Sequence, residues 1–306
     1  MALLEVRGVH KQFGDVIAVE DVSFSVTPGE IFGLIGPDGA GKSTMLRCVV
    51  GLLDPEKGDV EVDGLAVAKT PDQVRERLGY MPQQYSLYAD LTVAENLRFY
   101  ADMYFVPKRE REERLERLYA FSRLKPYAGR PAGKLSGGMY KKLALSCNMI
   151  HTPKLLLLDE PTNGVDPLSR RELWDILYRF AADGVAVVVS TPYMDEAERC
   201  HRVALMHQGK LLALDEPPAI LARYPDQLFE ILTDDPLRAR ETLAETPGIR
   251  RVYPAADALK AAAADRETGE ALVRQAIAGA GLMLKSIHPV RPNFEDVFLA
   301  AVESRE

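Results

Sequence analysis

Residues 36–44 read Gly36-Pro37-Asp38-Gly39-Ala40-Gly41-Lys42-Ser43-Thr44, the spacing G-x-x-x-x-G-K-S. Glycines let a backbone fold so that its N–H groups converge, and a helix starting at Lys42 adds partial positive charge there. Such a loop grips phosphates. Lys42 is placed to reach the outer two phosphates of a triphosphate, and the Ser43 hydroxyl to ligate Mg²⁺. The competing reading is a plain glycine turn before a helix. A strand before the loop and a helix after it favour the phosphate site.

A second group of acids follows the apolar run Leu155-Leu156-Leu157-Leu158, namely Asp159 and Glu160. Ligands of open parallel sheets sit at the carboxyl ends of strands, where these residues emerge. Asp159 is suited to hold Mg²⁺ through water, and Glu160 to orient or deprotonate an attacking water. Alone, an acid pair after a strand is a cap or loop. Beside the Lys42 loop it is read as catalytic.

The surrounding elements must bring these groups together. Residues 3–7 and 16–26 read as strands, Ile31 to Ile35 as a buried strand, and 42–52 as a helix ending near Gly51. From about 85 to 150 charged, helical text such as Lys108 to Leu115 replaces the strand signals; that run is read as a solvated helix face with i,i+4 pairs. Strands return at 155–158 and 185–190 around a helix at 168–182. This alternation implies an α/β fold with a mostly parallel sheet and an inserted helical subdomain. Tyr224-Pro225-Asp226 marks a boundary, giving domains 1–225 and 226–306. The second is expected to be a small α+β domain with elements at 227–233, 236–245, 249–253, 268–280 and 282–287. The alanine-rich stretch from Ala255 to Ala264 fits neither pattern.

The chain has 306 residues with 45 acidic and 38 basic, a net charge of −7. That balance argues against a nucleic-acid partner. No run approaches the ~18–20 apolar residues of a membrane span, and no signal peptide is visible, so a soluble protein is expected. Cys48, Cys147 and Cys200 show no paired spacing, which suits a reduced compartment.

Three further segments complete a pattern: Tyr80-Met81-Pro82-Gln83, Leu135-Ser136-Gly137-Gly138-Met139, and Pro161-Thr162-Asn163-Gly164-Val165-Asp166. Together, over roughly residues 3–225, the chain resembles the ATP-binding subunit of ATP-binding-cassette (ABC) transporters. The resemblance implies a P-loop nucleotide hydrolase fold and ATP with Mg²⁺ as ligands. It implies that Phe13 stacks on adenine, the alternative being a core residue beside Val16. It implies that Gln83 touches Mg²⁺ or the lytic water and transmits closure to a membrane partner. Ser136, Gly137 and Gly138 would bind the γ-phosphate held by a second subunit, homologous or identical, in a head-to-tail dimer with Asp166 at the seam. Pro292-Asn293-Phe294-Glu295-Asp296-Val297-Phe298-Leu299 looks like the ending of a branch that pairs with a separate membrane subunit in drug, antibiotic or polysaccharide export. LSGGM in place of LSGGQ and the helix start from Tyr193 to Glu198 fit that branch; a simple amphipathic closing helix is the other reading of the tail. Such a protein works at the cytoplasmic face of the membrane.

Two positions depart from the family pattern. Ser190-Thr191-Pro192 stands where the family has Ser-Thr-His, and proline offers neither side-chain donor nor N–H. Losing a transition-state donor costs about 10²–10³ in rate, so slow hydrolysis is one expectation and compensation by neighbours the other. Asp38 replaces an asparagine and should repel phosphate modestly. The leading function is thus an ATPase that powers an exporter. Against it stands a nucleotide-binding structural half of a heterodimer with little turnover. A third reading, an ABC protein acting on ribosomes or DNA, is disfavoured because the chain shows neither two cassettes nor a long coiled coil.

Overall fold

The chain opens with β1 (Leu4–Phe13), which turns at Gly14 and Asp15 into β2 (Val16–Val26). The two pair antiparallel from Leu4 opposite Val26 to Phe13 opposite Val16. Next, β3 (Ile31–Ile35) is buried at all five positions, as a central parallel strand must be. It feeds the phosphate loop and α1 (Lys42–Val50), which stops at Gly51 in the left-handed conformation. Then follow β4 (Lys57–Val62), β5 (Leu65–Ala66), α2 (Pro71–Arg75) and β6 (Leu78–Met81). The structure, a computed structural model, describes residues 2–84 and 87–304. Residue 85, the expected start of the helical insertion, lies outside them.

The insertion holds α3 (Val93–Met103), α4 (Lys108–Ser122) and α5 (Gly137–Met149). Thr92 and Glu95 form a capping box that fixes the start of α3. On α4 the charged text does face solvent, with an Arg114–Glu110 pair at 2.7 Å, while Leu115 and Leu118 are buried. The chain then returns through β7 (Leu155–Asp159), α6 (Pro167–Ala182), β8 (Ala186–Thr191), β9 (Arg202–His207) and β10 (Lys210–Asp215). Between β8 and β9, Met194–Arg199 forms a 3₁₀ helix.

Six strands form one sheet in the order β10-β9-β3-β8-β7-β6, parallel except for the β10–β9 pair. A second, antiparallel sheet runs β2-β1-β4-β5. Valines and leucines of both sheets share one core with Met45, Leu46 and Val49 of α1. An antiparallel layer thus contributes to the core around α1, which the helix–strand alternation did not announce. Each fully buried aliphatic side chain there contributes roughly 1.5–3 kcal/mol. The sheet therefore holds the ends of β3, β7 and β8 as a rigid platform.

The chain divides into two units, Met1–Pro218 and Ala219–Glu306, with α7 (Pro217–Ala222) at the division. The second unit contains β11 (Gln227–Thr233), α8 (Pro236–Ala244), β12 (Ile249–Ala255), β13 (Ala258–Ala263), α9 (Arg266–Gly279), β14 (Leu284–Val290) and α10 (Phe294–Glu303). Its antiparallel sheet runs β12-β13-β11-β14, and α8 and α9 pack on one face over Phe229, Ile231, Leu259 and Ala261. The alanine-rich stretch is β13, paired on both sides. The tail is a helix, α10, and it is anchored rather than merely amphipathic. Buried Asp296 caps it with Asn293 and accepts from Lys260 Nζ at 2.9 Å and Tyr253 Oη at 2.5 Å. Among the described residues no helix is long and apolar enough to cross a membrane.

Candidate functional site

The phosphate loop is shaped by close backbone approach. A Cβ at Gly36 would lie 2.2 Å from the Met206 carbonyl oxygen, and one at Gly41 would lie 2.2 Å from that of Ala18. Gly41 also has φ 99°, a region other residues rarely adopt. Gly36 N–H donates to Thr191 O at 3.2 Å and Gly209 N–H to Ala40 O at 3.1 Å, tying the loop to β8 and to the β9–β10 turn. Among the described residues no side chain caps α1, which leaves the N–H groups of its first turn directed at the loop.

Lys42 is nearly buried and donates to Gly36 O at 2.7 Å and Pro37 O at 2.9 Å. Its ammonium lies 3.9 Å from Glu160 Oε1. Burial pushes the Lys42 pKa down, and Glu160, Asp38 and Asp159 push back. Asp38 is exposed, and its charge favours the charged form of Lys42.

Ser43 Oγ donates to Asp159 Oδ1 at 2.9 Å, and Ser190 Oγ donates to the same oxygen at 2.6 Å. Asp159 is fully buried, and among the described residues its Oδ2 has no hydrogen-bond partner. A buried carboxylate oxygen left unpaired is costly, which fits a site built for a hydrated divalent cation. Magnesium is held by one or two carboxylates plus substrate phosphates and water, the set that Asp159, Ser43 and a triphosphate provide.

Glu160 adopts φ 51°, left-handed for a residue with a side chain. That conformation costs of order 1–3 kcal/mol and persists only where the surroundings impose it. Here Glu160 N–H donates to Ser190 O at 3.1 Å and meets Ser190 Oγ at 3.0 Å. Gln83 Nε2 and Asn163 Nδ2 each donate to Glu160 Oε2 at 3.0 Å. The carboxylate is thus oriented and can accept a proton from water at its other oxygen.

Phe13 is 49% exposed, with Lys11 Nζ 5.4 Å from its ring centroid; it is not a core residue. Phe13, Val16, Ile17 and Ala18 form the apolar wall of an open cleft of about 390 Å³. The residues from Asp38 to Thr44, Gln83 and Glu160 line the rest. Gly36 and Pro37 stand behind it as acceptors for Lys42.

Ser136, Gly137 and Gly138 do not join this cleft. Ser136 caps α5, accepting from Met139 N–H at 3.4 Å, and Ser136 and Gly137 are exposed. Gly138 is where α5 meets α6: a Cβ there would lie 2.4 Å from Ser169 Oγ. Asp166 caps α6, accepting from Ser169 N–H at 3.0 Å. Pro192 follows Thr191 beside the loop. Two partners of the site escaped the sequence reading, Asn163 and Lys141. Lys141 reaches its two carbonyls only in the fold, while Asn163 stands three residues past Glu160, where an asparagine reads as an ordinary turn residue.

A family model described as ABC transporter matches residues 19–163. The probable multidrug ABC transporter ATP-binding protein YbhF of Escherichia coli (strain K12) is 47% identical over 221 residues, 72% of this chain. The chain spans only 38% of that protein's length. The Nod factor export ATP-binding protein I of Sinorhizobium fredii is 36% identical over 299 residues, 97% of this chain and 84% of the relative. Among solved structures, an ATP binding subunit of an ABC transporter has a TM-score of 0.66 at 33% identity, covering 72% of this chain and 93% of that one. A dimeric, post-hydrolysis form of the ATP-binding cassette MJ0796 with ADP and Pi has a TM-score of 0.63 at 25% identity, covering 70% and 98%.

Proposed function

The chain belongs to the ABC transporter ATPases, and on that premise we propose that it is the ATP-binding and ATP-hydrolysing subunit of a membrane exporter. One observation carries the hydrolytic part. Lys42, Ser43, Gln83 and Glu160 line one cleft, Ser43 donates to the buried Asp159 next to it, and among the described residues the other Asp159 oxygen has no protein partner.

In this reading Phe13 stacks on adenine, the loop N–H groups and Lys42 hold the phosphates, and Ser43, Asp159 and Gln83 hold Mg²⁺. The ion supplies charge neutralisation of the phosphates. Glu160, oriented by Gln83, takes the proton of the attacking water. Ser136 and Gly137, exposed and apart from the cleft, and Gly138 behind them serve the nucleotide of a second ATPase subunit, so that two chains close over two ATP molecules.

The export role draws on relatives named for multidrug and Nod factor export. The membrane partner has a natural seat beside Gln83. A cavity of about 370 Å³ there is lined by Leu52, Tyr80, Pro82, Leu87, Tyr100 and Tyr104 among others. Aromatic rings with polar tips suit a short amphipathic segment of a permease. Bound there, the chain is peripheral to the cytoplasmic face of the membrane.

The test is Mg²⁺-dependent ATP hydrolysis by the purified chain and by Glu160→Gln, which should bind ATP and fail to cleave it. Hydrolysis unchanged in Glu160→Gln would overturn the assignment. Pro192 favours a second reading, in which the chain binds ATP, lends Ser136 to Gly138 to a competent partner, and hydrolyses slowly itself.

A further inference from the structure

Asn163 lies one turn past Glu160 and is held from three directions. Its amide nitrogen donates to Glu160 Oε2 at 3.0 Å, the oxygen that also takes Gln83. Its amide oxygen faces the Tyr193 hydroxyl at 3.4 Å, one residue past Pro192. Its backbone carbonyl accepts from Lys141 Nζ, which also donates to the Glu160 carbonyl at 3.4 Å. The next residue back, Thr162, donates to Glu196, a fully buried carboxylate that also accepts from Trp174 Nε1.

Lys141 is 6% exposed and stands five residues after Ser136 on α5. A buried ammonium is expensive, and burial draws this one down to about 8 against the pull of Glu160 and Glu196. A methionine would fill the same length of space without that cost. The charge has a visible task, which is to fix two carbonyl oxygens of the turn that carries Glu160.

We infer that Asn163 and Lys141 are positioning residues for Glu160, Asn163 holding its carboxylate and Lys141 holding its turn. The inference rests on the reading of Glu160 as the base. With Oε2 taken by Gln83 and Asn163, Oε1 is the oxygen left to receive the proton, and it faces Lys42 at 3.9 Å. Pro192 supplies no side-chain donor, and Asn163, in contact with Tyr193, brings one to Glu160. Because Lys141 rides on α5, the helix that would seat a second subunit's nucleotide is wired to this chain's own base. A shift of α5 on closure moves the Glu160 turn with it.

Two measurements decide. Asn163→Asp keeps the size and the oxygen facing Tyr193 but removes the donor. Its single-turnover hydrolysis should fall about 10- to 100-fold, with Mg-ATP Kd within about twofold and the melting temperature unchanged. A wild-type rate overturns the proposal. Lys141→Met removes the tether at equal length. The amides of Asn163 and Val165, which donate to Glu160 O and Thr162 O at 3.2 Å, should exchange with deuterium about tenfold faster, while the middle of α5 stays protected. Unchanged exchange there also overturns it. Exchange needs no turnover, so a wild-type chain that binds ATP without cleaving it defeats the hydrolytic reading while the tether is still judged.

Discussion

The Ser43 hydroxyl donates to Asp159 Oδ1 at 2.9 Å, across 116 positions of sequence. It joins the phosphate loop to the end of β7, and among the described residues the other Asp159 oxygen has no partner. Asp159→Asn should therefore erase the magnesium dependence of ATP binding. Affinity with Mg²⁺ is expected to fall about 10- to 100-fold, and affinity in EDTA to stay put. Nucleotide titration in both buffers checks this; equal losses in the two would point to a damaged loop instead.

Phe13 is half exposed and contributes little to the fold, so Phe13→Ala should leave the melting temperature alone. Stacking on a base is worth about 1–3 kcal/mol, so ATP should bind roughly 5- to 150-fold more weakly. Triphosphate without a base should bind as before, which a competition assay will reveal.

Pro192 lacks any donor toward the phosphate loop. Replacing it by histidine should raise the single-turnover rate, by as much as about 10²-fold if nothing else compensates. If the rate does not rise, the proline is not what limits hydrolysis, and the contacts that Asn163 makes with Glu160 already suffice.

His151 predicts an acid-sensitive fold. Its ring stacks on Tyr104 at 3.8 Å, and since a carbonyl only accepts, Nε2–H donates to Leu78 O at 3.1 Å. Burial pushes its pKa down from 6.5 to about 4. Between those values the unfolded chain binds a proton that the folded chain refuses, so stability drops as pH falls from 6.5 toward 4. At about 1.4 kcal/mol per unit, the loss reaches a few kcal/mol. His151→Phe keeps the stack, and its urea midpoint should depend less on pH across that window.

Asp296 is the anchor of α10 through Lys260 and Tyr253. Removing one partner of a buried pair costs about 3–5 kcal/mol, so Asp296→Ala should destabilise the second unit by that order. Protease should then cut first within residues 290–304. An unaltered cleavage pattern would mean that apolar packing alone secures the helix.

The local geometry of the candidate site was legible where it was contiguous. Gly36 to Thr44 and Leu155 to Glu160 each state their own geometry, since strand, turn and helix follow one another without help from elsewhere. The antiparallel layer was not, because β1 pairs with β4 some fifty residues on, and nothing in either strand names its partner. Strand β13 was hidden by composition: in Ala258–Ala263, alanine carries almost no hydrophobic contrast, and pairing on both sides makes the strand. Glu196 sits in charged text yet is fully buried, because its partners Thr162 and Trp174 are brought from two other segments. Lys141 belongs to the same class, a polar side chain whose partners come from a distant turn.

The carbonyls of Met206 and Ala18 stand where side chains on Gly36 and Gly41 would have to be. The mould for the triphosphate is thus cast during folding, and its entropy is spent before any nucleotide arrives. The loop backbone is then ready for capture, and what must move is the Lys42 ammonium, which exchanges the carbonyls of Gly36 and Pro37 for phosphate.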